Sequence, residues 1–136
     1  MKKKICFLLA LIFMFACLPQ FSVLADGVTP RNNNTLSTNT IFTILNGEAI
    51  VAVNFEGYPS LATGATITVK IEKRNLLIFW KDIVEETITV NDYYYINELH
   101  YPLEKKGTYR CTVEYVVYGL GGEPDVIPFE RTETYD

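Results

Sequence analysis

Residues 106–119 read KGTYRCTVEYVVYG, and their alternation decides the fold. Tyr109, Cys111, Val113, Tyr115 and Val117 fall on every second position, with Arg110, Thr112 and Glu114 between them. Successive side chains of a β-strand point to opposite faces. The pattern therefore predicts a strand with one face in a core, and it puts Cys111 inside that core. A catalytic thiol needs a lowered pKa and a nearby base. Arg110 and Thr112 supply no base, so Cys111 reads as a small buried hydrophobe.

The other two cysteines, Cys6 and Cys17, lie in a different kind of segment. Lys2, Lys3 and Lys4 precede an apolar run, ICFLLALIFMFACL (5–18), which Pro19 and Gln20 break before Val23-Leu24-Ala25. A positive start, a short apolar run and small residues at its end describe a signal peptide. The run is short for a bilayer span of roughly 20 residues. Residues 1–25 are therefore expected to be removed and the remainder secreted. Phe15-Ala16-Cys17 offers an alternative, a lipoprotein anchored through Cys17, although Met14 and Phe15 depart from the aliphatic and small residues usual there. Cleavage after Ala25 leaves Cys111 alone, so no intramolecular disulfide can form in a compartment that permits one. A domain of about 100 residues can bury enough apolar surface to fold without such a staple.

The full chain carries a net charge of −4, and loss of the three lysines makes the remainder more acidic. An acidic domain without a basic stripe is a poor nucleic-acid binder. It is also a poor match for anionic surfaces, so no membrane contact is expected after cleavage.

Residues 26–38, DGVTPRNNNTLST, are polar and read as a flexible leader to a domain spanning 39–136. Strand patterns then follow at 40–45, 48–55, 65–73, 76–83, 84–90, 93–99, 108–118 and 126–135, without sustained helical periodicity. Pro128 assigns the last strand to a sheet edge, where a missing N–H is tolerated. Seven or eight short strands with inward alternation predict an all-β, two-sheet antiparallel sandwich.

The stretch from Leu103 through Gly107 and Tyr109 to Cys111 resembles the start of the sixth strand in immunoglobulin and fibronectin type III domains. That resemblance implies an immunoglobulin-like sandwich in which Leu103 plugs the core and the Tyr109 hydroxyl bonds back to the chain as a tyrosine corner. The second strand offers Ala49, Val51 and Val53 and no partner cysteine. Residues 47–135 are also similar to small secreted proteins of Gram-positive bacteria, through Gly47-Glu-Ala-Ile-Val, Ile67-Thr-Val-Lys-Ile-Glu-Lys with Trp80 on the next strand, and Gly107-Thr-Tyr-Arg. The similarity implies the fold and carries no chemistry.

No catalytic constellation can be assembled from the sequence, and no cofactor is expected. His100 is the only histidine and has Glu98 beside it on one strand face, without a nucleophile in register. Asp82, Glu85, Glu86 and Asp92 match no EF-hand spacing, and they read as solvated strand faces. Gly119, Gly121 and Gly122 read as a hairpin connection, and Tyr93, Tyr94 and Tyr95 as core-plus-rim packing. The expected function is that of a non-catalytic extracellular module binding a protein or a cell-envelope glycan. The alternative is a small secreted hydrolase or enzyme inhibitor with a site on loops. The second and sixth strands of such a sandwich run the same way, so the loops 57–64 and 119–124 should emerge together. They would present Tyr58, Leu61, Tyr118 and Leu120 as a partner-binding patch, unless Tyr58 and Leu61 fold back to cap the core.

Overall fold

The computed structural model describes residues 32–76 and 78–136. The signal peptide expected at 1–25 and residues 26–31 of the expected leader lie outside them. Seven strands form an all-β sandwich: β1 (Thr35–Leu45), β2 (Glu48–Gly57), β3 (Ala62–Asn75), β4 (Phe79–Val90), β5 (Tyr94–Pro102), β6 (Gly107–Gly119) and β7 (Asp125–Tyr135). One sheet has the order β1-β2-β5 and the other β4-β3-β6-β7, with every pairing antiparallel.

The inner faces meet in one core. Phe42 comes from β1, Ala49, Val51, Val53 and Phe55 from β2, Ala65, Ile67, Val69 and Ile71 from β3, and Tyr109, Cys111, Val113, Tyr115 and Val117 from β6. The predicted inward set of the sixth strand is thus buried in full, and Pro128 sits on the edge strand β7. Leu103 joins the core, and the Tyr109 hydroxyl donates to the Lys105 carbonyl. That corner bond contributes about 1 kcal/mol.

Two differences from the sequence reading change the architecture. The stretches 76–83 and 84–90 are not two strands. Leu76 occupies the β3–β4 turn with φ 56°, and β4 then runs unbroken from Phe79. Opposite it, Ile71 pairs with Val84 but Glu72 pairs with Asp82, so Ile83 is the extra residue of a β-bulge. The bulge reverses the facing of side chains on either side of it, which mimics a strand boundary in the alternation. It also sends Trp80 outward, where its ring stacks under the Arg110 and Arg74 guanidinium groups at 4.4 and 5.1 Å. Arg110 in turn pairs with the nearly buried Glu72 at 2.6 Å.

The second difference is at the start. β1 begins at Thr35, inside the expected leader of 26–38, and Asn34 and Thr35 are buried. Residues 33–38 therefore belong to the folded domain, and the physical cause is a buried carboxylate described below.

Cys111 is 0% exposed, and burial pushes its thiol pKa up to about 12. The native protein should therefore resist thiol reagents and react at one site once denaturant is added. Rapid labelling of the native protein would contradict the burial of this strand face. A Cys111→Ala change should cost about 1 kcal/mol, read from denaturant unfolding.

Candidate functional site

The loops after β2 and β6 do emerge together. Ala62 pairs with Gly119, and the Leu120 N–H donates to the Leu61 carbonyl at 2.9 Å. The β2–β3 connection is shorter than expected, because Tyr58 to Leu61 closes as a tight turn. Its Tyr58 carbonyl accepts from the N–H groups of Leu61 and Ala62 at 2.9 and 2.8 Å. The β4–β5 connection reaches the same end, where the Gly57 N–H donates to the Tyr93 carbonyl at 2.7 Å.

What organises this pole is Asp125, at the first position of β7. Its Oδ1 accepts the Asn33 N–H at 2.9 Å. Its Oδ2 accepts the N–H groups of Asn34 and Thr35 and the Thr35 hydroxyl, each at 2.8 Å. Burial alone would raise the pKa of this carboxyl. The hydrogen bonds from Asn33, Asn34 and Thr35 outweigh burial and hold it below the usual carboxylate value.

Asn34 extends the network. Its backbone carbonyl accepts the Tyr58 N–H at 2.9 Å, its Oδ1 accepts the Gly121 N–H at 2.9 Å, and its Nδ2 donates to the Glu123 carbonyl at 3.3 Å. One buried residue thus ties the start of β1 to both loops, through its backbone carbonyl to the β2–β3 turn and through its side chain to the β6–β7 connection. The glycines follow from its approach, since a Cβ on Gly119 or Gly121 would lie 2.4 or 2.7 Å from Asn34 Oδ1. Close approach explains these two positions better than turn geometry does.

With the pole closed in this way, Tyr58, Tyr118 and Leu120 stand outside it. Leu120 is 78% exposed, and the two tyrosines are exposed as well. Leu61 is half-buried. Tyr118 is fixed at the strand end by a contact of 3.3 Å between its hydroxyl and that of Thr66. The sequence reading passed over Tyr93 as part of this end, and over Asn34 and Asp125 altogether. The only sequence signal for the last pair was an Asp directly before an apolar strand.

The remaining candidates separate in space. His100 lies on the outer face of the three-stranded sheet, with Nδ1 3.0 Å from Glu48 and Nε2 2.9 Å from Glu98. The bond to Glu48, ahead of the one to Glu98, raises its pKa against some desolvation. Asp82 pairs with Lys70 at 3.0 Å on the outer face of the other sheet. Glu86 instead faces the sandwich edge, where the Tyr101 hydroxyl donates to it at 2.6 Å. Burial, followed by that bond, holds the Tyr101 pKa well above the usual phenol value. Among the described residues no group of three His, Cys, Asp or Glu side chains could hold a metal ion. Comparison with protein-family models, curated proteins and solved structures finds no match for this chain.

Replacing Asp125 by Asn should cost about 3 kcal/mol, because an NH₂ group would face N–H donors, and should lower Tm by roughly 10–20 °C. The native pKa is depressed, so the carboxylate's stabilisation is complete above the unfolded value of about 3.9 and is lost as pH falls through the folded value. Thermal melts from pH 7 down to acid should show a steeper loss for the wild type than for Asp125→Asn. Parallel curves would contradict the assignment.

Proposed function

We propose that this chain is an exported, non-catalytic β-sandwich module that binds a protein or glycan of the cell envelope through the pole built on Asn34 and Asp125. The observation that carries this reading is the division of labour at that pole. Buried polar groups close the end of the core, so Leu120, Tyr58 and Tyr118 are not needed to cap it. Tyrosine and leucine held on short, tied loops lose little conformational freedom on binding, which favours association. Tyrosine also brings an apolar ring and a polar hydroxyl to the same contact. Export through residues 1–25 belongs to the same proposal, as does the similarity to small secreted proteins of Gram-positive bacteria.

The test uses the chain from Asp26 onward, since both sheets and the core lie within residues 35–135. It is screened against cell-wall fractions, glycan arrays and surface proteins, with a Tyr58→Ser, Leu120→Ser double variant beside it. The variant should lose at least about tenfold in affinity for whatever the wild type binds, with Tm changed by only a few degrees. A large fall in Tm with binding retained would make both residues structural caps and end the proposal.

A further inference from the structure

The opposite end of the sandwich carries a different surface. There the β3–β4 hairpin ends in a turn whose Leu76 is 77% exposed, Ile78 75% and Phe79 59%. These side chains lie at the end of the hairpin. They are flanked in sequence by Lys73 and Arg74 on one strand and Lys81 on the other. A groove of about 550 Å³ lies at the base of the hairpin, lined by these three cations, Lys105 and Tyr101, with Glu104 as the single acidic residue on its wall.

This end holds an excess of cations over carboxylates in its groove. Among the described residues Lys70, Arg110 and Arg131 are each paired with a carboxylate. No ion pair among the described residues joins Lys73, Arg74, Lys81, Lys105 or Lys106 to a carboxylate. A chain with net charge −4 thus gathers unpaired cations behind a group of three exposed apolar side chains. Net charge averages over the two ends and does not reveal this local excess.

We propose that the β3–β4 tip docks the domain on an anionic phospholipid bilayer, with Leu76, Ile78 and Phe79 entering the acyl boundary and Lys73, Arg74, Lys81 and Lys105 meeting headgroup phosphates. Apolar insertion combined with basic contacts is how a protein lies on a membrane without spanning it. Each basic group near an anionic leaflet adds to the attraction. Exposed apolar side chains next to unpaired cations match the acyl boundary and the headgroup charge of an anionic bilayer together. The inference goes beyond the binding proposal above and concerns the opposite end, so either can fail while the other stands.

The experiment is flotation of the chain from Asp26 onward with vesicles of phosphatidylcholine alone or mixed with phosphatidylglycerol. Phosphatidylglycerol vesicles should be bound about tenfold or more tightly than neutral ones, and added salt should weaken the binding. Two variants separate the contributions, Ile78→Ser with Phe79→Ser, and Lys81→Gln with Lys105→Gln. Each should reduce partition by about tenfold while Tm stays unchanged, since all four positions are at the surface. Failure to bind phosphatidylglycerol vesicles at low salt would overturn the proposal. So would binding that survives loss of the apolar tip, or a tip-dependent dimer in solution that leaves vesicles untouched.

Discussion

Asp125 accepts hydrogen bonds from three consecutive backbone N–H groups and a hydroxyl of residues 33–35, and the ends of both sheets depend on that contact. β1 belongs to one sheet and β7 to the other, so the carboxylate joins the two layers where the apolar core runs out. A buried carboxylate without partners would be strongly destabilising. Here its charge is distributed over donors that would themselves be orphaned by its loss. The immunoglobulin-like sandwiches that carry an inter-sheet disulfide join their layers covalently. In this chain Cys111 occupies the middle of the core unbridged, and polar ties at the rim link the layers instead. Tyr115 meets Thr40 at 2.6 Å on the β1 side, and Tyr101 meets Glu86 at 2.6 Å on the β4–β5 side.

The same constraint separates the two ends of the molecule by chemistry. At the Asp125 end the backbone is tied through Asn34 to the β2–β3 and β6–β7 connections, so exposed aromatic and apolar side chains stand on short, fixed loops. At the other end the β3–β4 hairpin extends past the body with apolar residues at its tip and unpaired cations behind. The bulge at Ile83 sets this arrangement. It turns Trp80 and Asp82 to the outer face, where they join Arg110, Glu72 and Lys70, and leaves Lys73 and Lys81 on the groove. One extra residue in one strand therefore places Asp82 with the paired charges of the outer face and Lys81 on the groove.

Alternation made the strands legible, because a half-buried strand imposes a period of two on its sequence. β6 reads correctly residue by residue, whereas the Leu103 plug and the Tyr109 corner were implied by the resemblance of residues 103–111 and not by alternation. β4 was misread because a bulge breaks the period without breaking the strand. The shared pole of Tyr58, Leu61, Tyr118 and Leu120 follows from strand direction alone. Asn34 and Asp125 were not legible for a different reason. Their hydrogen bonds join residues about 90 positions apart, and neither residue type carries a periodic signal. A run of asparagines and threonines looks the same whether it is solvated or locked against a buried carboxylate. The exposed tip was visible in sequence as Leu76, Ile78 and Phe79, but their pattern resembled that of a core strand.

The central claim is that the segment before β1 is held by Asp125 as part of the cooperative fold. Native-state hydrogen exchange at the amides of Asn34 and Thr35 tests it most directly, because both N–H groups donate to the Asp125 carboxylate. The account predicts that they exchange as slowly as the core amides of β3 and β6, with opening free energies close to that of global unfolding. Exchange at the rate of a frayed chain terminus, with the β6 amides still protected, would contradict it.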